Sequence, residues 1–390
     1  MKQIFPDKYL AKHIKSLVWI STKGAFLNYR QTARSLLDLQ RGLTGNRDLV
    51  GKNYMETEES LRAYLLYYWP VSYLQTWYAV KGCGKLLSYV ESVNDRPLSI
   101  LDLGSGPGPA TVSLMDYLSA SLVGRKRIEY DITLCDSSQR ALSVAKKIVD
   151  QKKVETCHVD FQKGGMGFLG DKKFDIIIAS HSLNELWKKD SGRNTQLLSF
   201  VNSIAEHLQP GGKIIFIEPA LLLTSRNLIE LRNSMVENGY TVIAPCTCGT
   251  APCPAILQEN LTCHNEIKWT PVEPVSNIAR EAKLDRESVK MTFFIFEKSQ
   301  NEQESVSGDE NVYSGRIVSD GMLNKSGRLR YILCDGKNRI AFSAKKDDPA
   351  ATAQGFFKLK RFDLVKIRNP EIREGGALGF QPDTEIKVVF

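Results

Sequence analysis

No apolar run in these 390 residues approaches the ~18 that a membrane-spanning helix needs, so no membrane association is expected. The first residues lack the apolar core and the small-residue cleavage site of a secretory signal. They are Lys-containing but not Ser- and Arg-rich, and a helical pattern starts early. Nothing therefore suggests an oxidising compartment, and the eight cysteines read as thiols or metal ligands before disulfides. With 42% hydrophobic and 25% charged residues the chain is of ordinary globular composition, and its length implies two or three domains.

The net charge of +8 is unevenly spread. Residues 1–100 carry 14 Lys and Arg against 8 Asp and Glu, and residues 311–390 carry 15 against 9, so each flank is +6 and the middle −4. Two basic flanks around a mildly acidic centre suit an anionic partner such as nucleic acid, although solvated basic surfaces give the same totals.

Residues 1–97 show helical spacing at Lys8–Leu27, Tyr29–Gln40, Glu56–Trp69 and Val71–Val90, with Pro70 expected to interrupt or kink the last pair. The aromatic stripe from Tyr64 to Tyr78 is expected to pack in a core rather than stack on bases.

From residue 98 to 298 strands and helices alternate. The apolar run Leu98–Leu103 leads through Gly104, Gly106 and Gly108 into an amphipathic segment, the layout of a nucleotide-binding crossover. The second strand, Ile128–Cys135, ends at Asp136, which can bind both hydroxyls of a ribose. The third, Val154–Val159, ends at Asp160, which could reach an adenine edge. A fourth, Phe174–Ala179, runs into Ser180-His181-Ser182-Leu183-Asn184-Glu185-Leu186, where His181 is a potential base but is expected to line the pocket. A Pro-Gly-Gly turn at 210–212 precedes strand Ile214–Glu218. Thr241–Ala244 and Lys290–Glu297 are expected to form an antiparallel pair interrupted by a long insertion. This alternation is that of a doubly wound sheet.

The order of these elements resembles the class I S-adenosylmethionine-dependent methyltransferases. The resemblance implies a Rossmann-like α/β fold and a cofactor held by Asp102, Gly104, Ser105, Gly106, Gly108, Asp136, Asp160 and Ser180. The Asn/Asp-Pro-Pro-aromatic box of enzymes that methylate exocyclic base nitrogens is missing after the fourth strand, so no catalytic residue is assigned.

Four cysteines crowd between 246 and 263 in the insertion Pro245–His264: Cys246, Cys248, Cys253 and Cys263. The density suits a tetrahedral zinc or an iron–sulfur cluster. Pro245-Cys246, Pro252-Cys253-Pro254 and Cys263-His264 resemble the methyltransferase-like family of mitochondrial small-ribosomal-subunit proteins and assembly factors, which has bacterial members. Gly-Ser-Gly-Pro-Gly, Asn-Glu-Leu and the Gly-Gly…Glu-Pro of 211–219 match it as well. That resemblance implies a four-cysteine [4Fe-4S] cluster, with zinc as the alternative metal, and association with the small ribosomal subunit and its rRNA. Its fourth ligand can come from the C-terminal segment, so Cys334 is favoured over Cys248. The location it implies is the cytoplasm, or the mitochondrial matrix for a eukaryotic source.

Residues 299–311 are nearly free of apolar side chains and read as a linker. Five alternating segments in 312–390 read as a small basic β-barrel of the oligonucleotide-binding sort. The expected activity is ribosome assembly or translation, with rRNA methylation if the enzyme turns over. The alternatives are a catalytically inactive assembly factor and a small-molecule methyltransferase.

Overall fold

Helices come first in the chain, yet they are built onto the sheet that follows them. The computed structural model describes residues 5–49, 52, 54–162, 166–188, 190, 192–298 and 312–389, so the 299–311 linker lies outside the described residues. Among the described residues five α-helices lead: α1 (Asp7–Thr22), α2 (Tyr29–Gln40), α3 (Glu58–Ala63), α4 (Trp69–Val80) and α5 (Gly84–Ser92). The sheet region then runs β1 (Leu98–Leu103), α6 (Pro109–Ser121), β2 (Tyr130–Asp136), α7 (Gln139–Ile148), β3 (Lys153–His158), β4 (Phe174–Ser180), α8 (Arg193–Ala205), β5 (Leu208–Glu218), α9 (Leu222–Glu237), β6 (Tyr240–Ala244), β7 (Asn265–Lys268), α10 (Val275–Ala282) and β8 (Ser288–Lys298).

The strand order is β3-β2-β1-β4-β5-β8-β6, with β7 paired to β8. Strands β1 to β5 are parallel, and β8 enters antiparallel between β5 and β6. This is the mixed, doubly wound sheet of a class I methyltransferase. Its centre is buried on both faces, which is why β1 and β4 read as continuous apolar runs rather than alternating ones. Ile100 and Ile132 face a core shared with Leu10, Leu36, Leu66 and Trp77 of the leading helices. Leu101 and Leu103 face the opposite core, with Phe200 of α8 and Ile229 of α9.

The aromatic stripe packs as expected. Trp69, Tyr73 and Trp77 are fully buried, and Trp69 and Tyr73 stack with centroids 5.5 Å apart. Pro70 does not break the helix. The turn before it, Tyr64–Tyr68, widens to π geometry, and the Trp69 N–H bonds Tyr64 O. A wider turn relieves the clash a proline ring makes with the preceding turn.

Two further local expectations differ. The Pro-Gly-Gly segment lies within β5 rather than before it, because Gly211 takes φ +74° and lets the strand continue through an irregular register. Strand β7 also pairs with β8, where only Lys290–Glu297 was expected as a late strand.

The C-terminal part holds β9 (Val312–Ile317), β10 (Met322–Leu323), β11 (Arg328–Cys334), β12 (Arg339–Lys345), α11 (Pro349–Ala353), β13 (Leu364–Arg368), β14 (Glu371–Ile372), β15 (Leu378–Gly379) and β16 (Glu385–Val388). The strands form a curled sheet in the order β14-β15-β12-β11-β9-β13-β16, with β10 paired to β11, a half-barrel whose two end strands do not pair with each other among the described residues. Its own core gathers Phe342, Phe356 and Phe380, with ring centroids 4.9 to 5.2 Å apart.

Candidate cofactor and metal sites

The glycine turn sits at the C-terminal edge of β1, where parallel sheets bind ligands. Gly104, Gly106 and Gly108 all take positive φ, at +70°, +51° and +79°. At Gly104 glycine is needed twice over, since a Cβ there would also run into Ser182. Asp102 is fully buried and its Oδ2 accepts from Thr111 Oγ1 at 2.6 Å, fixing the first turn of α6 to β1. Burial pushes its carboxyl up to about 7, and its Oδ1 has no partner among the described residues. Ser180 Oγ, at the end of neighbouring β4, is likewise buried and without a partner. Two orphaned polar atoms thus stand at the ends of adjacent strands beside the turn, a position that a polar ligand would satisfy.

Asp136 ties the turn to α7. Its Oδ2 accepts from Gly106 N and its Oδ1 from Ser138 N, both at 2.8 Å, and burial raises its carboxyl. Each oxygen retains acceptor capacity for a hydroxyl. Asp160 forms an Asx turn with Gln162 N at 3.0 Å. Ser105 donates its N–H to Cys135 O.

The loop before α3 and the helices that follow it supply residues that lie against this region. A Cβ at Gly106 would meet Met55 Cε at 3.7 Å and Tyr64 Oη at 3.9 Å, so these side chains cover the turn. Glu56 Oε1 accepts from Ser138 Oγ at 3.0 Å, Tyr54 Oη lies 3.5 Å from Glu185 Oε1, and Trp69 Nε1 donates to Pro107 O at 3.1 Å. Of these, only Tyr64 and Trp69 were named in the aromatic stripe, as packing. No sequence signal marks any of the five as neighbours of the turn, because the contacts span 38 to 131 positions.

Beyond β4, His181 sits at φ +62° with Nε2 2.7 Å from Gln75 Oε1 of α4. Burial pushes its imidazole down to about 4, so it is neutral near pH 7 and a weak base. Asn184 donates its N–H and Nδ2 to the two oxygens of Glu218, at 3.0 and 2.7 Å, and its Oδ1 accepts from Arg47 at 2.9 Å. The Asn-Glu-Leu and Glu-Pro segments, far apart in sequence, therefore meet through one buried carboxyl. Burial pushes Glu218 up to about 8.

The cysteine loop leaves β6 at Pro245. Arg316 of β9 donates Nε to Pro245 O at 2.8 Å, and Cys253 N donates to Asn233 Oδ1 of α9 at 2.9 Å. Arg232, fully buried, donates to Ala251 O, has no carboxylate partner, and its Nε is orphaned among the described residues. A buried guanidinium without a carboxylate calls for another anion. Cys334 ends β11 in register with Arg316, and the turn after it packs on Cys248, where a Cβ at Gly336 would collide. Burial pushes the Cys246 thiol up to about 12, with the charges of Cys253 and Cys334 acting the same way. Burial and then Cys253, Cys246 and Cys334 raise Cys263. These four thiols are close enough to feel one another. Cys248 instead has Thr250 Oγ1 3.9 Å from its sulfur. Among the described residues no group of three or more His, Cys, Asp or Glu side chains has the geometry of a metal-ion site.

The family model described as mitochondrial small ribosomal subunit Rsm22 matches residues 59–347. The chain belongs to the Rsm22 family. No curated protein matches the sequence. Three solved structures align with it at low similarity. The plantazolicin methyltransferase BpumL, in complex with a desmethyl-plantazolicin analogue and SAH, is 12% identical over 75% of this chain and 100% of its own, with a TM-score of 0.34. A putative class I S-adenosylmethionine-dependent methyltransferase from Listeria monocytogenes is 13% identical over 76% and 91%, at 0.36. A putative methyltransferase from Thermoplasma acidophilum is 17% identical over 53% and 70%, at 0.33. Scores of this size add nothing to the strand order, which carries the fold assignment. The Rsm22 match takes in Tyr64 and Trp69, the glycine turn, the cysteine loop and β11, and begins just after Met55. No helix among the described residues of this Rsm22-family chain is long and apolar enough to cross a membrane.

Proposed function

We propose that this chain binds S-adenosylmethionine at the glycine turn and a [4Fe-4S] cluster at Cys246, Cys253, Cys263 and Cys334, and acts on the small ribosomal subunit and its rRNA. The observation that carries the cofactor reading is the pair of orphaned atoms, Asp102 Oδ1 and Ser180 Oγ, flanking a turn of left-handed glycines. Asp136 would take the ribose hydroxyls and Asp160 the adenine edge, while Met55 and Tyr64 exclude water above Gly106. When bound, S-adenosylmethionine supplies an electrophilic methyl group; the chain supplies positioning rather than a strong base.

The cluster reading rests on three thiols of one loop and one of β11 that interact electrostatically, with the buried Arg232, which has no carboxylate partner among the described residues, acting on Cys246 and Cys253. Around a single zinc the sulfurs would stand about 3.8 Å apart, from Zn–S bonds of about 2.3 Å. A cubane binds each thiolate at a different iron, which needs a wider spread. The desolvated His181, held by Gln75, favours a second reading in which the cofactor is bound without turnover. Crosslinking to RNA in cells, combined with rRNA modification mapping in a deletion strain, separates the two. Crosslinks with a lost methyl mark support the enzyme, crosslinks with unchanged marks support the binder, and absence of crosslinks overturns both.

A further inference from the structure

The N-terminal basic excess has a definite place in the fold. Helix α1 buries Leu10, Ile14 and Leu17 and turns Lys8, Lys12, Lys15 and Trp19 outward, at the three- and four-residue spacing of one helical face. None of the three lysines has a carboxylate partner among the described residues. Trp19 keeps 67% of its surface exposed while its ring rests on Gly24, where a Cβ would stand 3.0 Å from the indole, and Phe26 is 93% exposed. Lys12 lies over the Tyr9 ring at 5.5 Å, and the open faces of Trp19 and Phe26 are of the kind on which bases stack.

The stripe leads to the cofactor mouth. Lys23 Nζ pairs with Glu58 at 2.8 Å, Arg140 of α7 pairs with the same carboxylate at 3.3 Å, and Arg62 Nε donates to Ser21 O at 3.1 Å. These bonds fix the Trp19 end of α1 to the segment that covers Gly106 and to the start of α7. Helix α1 lies beside α7, whose exposed face adds Lys146 and Lys147.

We propose that the exposed face of α1 is an RNA-docking surface, with phosphates on Lys8, Lys12 and Lys15 and unpaired bases stacked on Trp19 and Phe26, guiding the strand toward the glycine turn. This rests on the reading of rRNA as partner and names the surface that meets it. An anionic membrane fits less well, because the apolar face an interfacial helix would insert is already committed to the core.

The test is fluorescence anisotropy of the full chain with a fluorescein-labelled RNA hairpin bearing a single-stranded loop, across a salt series. Against wild type, the Lys8→Gln/Lys12→Gln/Lys15→Gln variant should lose about 2 from the magnitude of the log–log salt slope, at about 0.7 per single-strand phosphate contact. Trp19→Ala should weaken binding about 5- to 150-fold. Both variants should keep the wild-type melting temperature, since the changed side chains are exposed. Wild-type binding that neither variant alters overturns the surface while leaving the rRNA reading intact. Absence of wild-type binding overturns that reading as well. Phosphatidylserine vesicles serve as the second arm, and a triple variant that loses vesicle binding but keeps RNA affinity overturns the proposal in favour of a membrane.

Discussion

The backbone N–H of Gly106 donates to Asp136 Oδ2 at 2.8 Å, joining the centre of the glycine turn to the end of the second strand. The same carboxylate holds Ser138 N at the start of α7. Asp136 thus fixes the turn against the start of α7. Asp136→Ala removes both bonds and leaves two buried donors, so stability should fall by roughly 2–4 kcal/mol. S-adenosylmethionine affinity should fall at least about tenfold, a loss of about 1.4 kcal/mol or more. Calorimetry and thermal melting check the pair, and an unchanged affinity in a folded variant would remove Asp136 from the site.

Glu218 gives the fold a pH dependence of definite sign. Its folded value of about 8 lies above the ordinary 4.5, so folding takes up a proton between these values. The stability it contributes is complete below about pH 4.5 and is lost as pH rises through 8. Asp102, at about 7 against 3.8, acts in the same direction over a lower window. Thermal stability should therefore decline from pH 5 to 9, by at most about 1.4 kcal/mol per pH unit for each group. Glu218→Gln should flatten the upper part of that decline, leaving the part that ends near pH 7. A melting temperature that rises across this range would show that the carboxyl is ionised in the fold.

How far the sequence revealed this site depends on how local the signal is. The strand ends carrying Asp102 and Asp136 were legible because buried parallel strands are apolar runs and the turn between them needs glycine. The π turn at Tyr64–Tyr68 was not, since periodicity marks Pro70 as a break and says nothing of a widened turn that absorbs it. Nor was the role of Met55: a side chain that covers a turn 51 positions away leaves no spacing pattern. The meeting of Asn184 with Glu218 lay between. Both segments stood out by resemblance, but only the fold shows that one carboxyl joins them.

The choice of fourth ligand separates cleanly by mutation. Cys334 shares a charged environment with Cys253, whereas Cys248 neighbours Thr250. In anaerobically purified protein, Cys334→Ser should abolish most bound iron and acid-labile sulfide, while Cys248→Ser should leave both near wild type. The reverse pattern would assign Cys248. Stoichiometric zinc with no iron would replace the cluster by a single-ion site.

Trp69 ties the leading helices to the glycine turn. Its indole lies fully buried in the first turn of α4, stacked on Tyr73, and its Nε1–H holds Pro107 O inside the glycine turn. Trp69→Phe keeps an aromatic ring for the stack but removes the donor, leaving Pro107 O without that bond in a buried setting. Stability should drop by roughly 1–3 kcal/mol for the unsatisfied acceptor together with the lost ring volume. The more telling readout is affinity. If α4 sets the position of the turn, S-adenosylmethionine should bind several-fold more weakly at a temperature where the variant is fully folded. A control of similar burial away from the turn, Phe342→Leu in the C-terminal core, should cost stability without changing that affinity. Equal affinities for wild type and Trp69→Phe would make α4 a packing element alone.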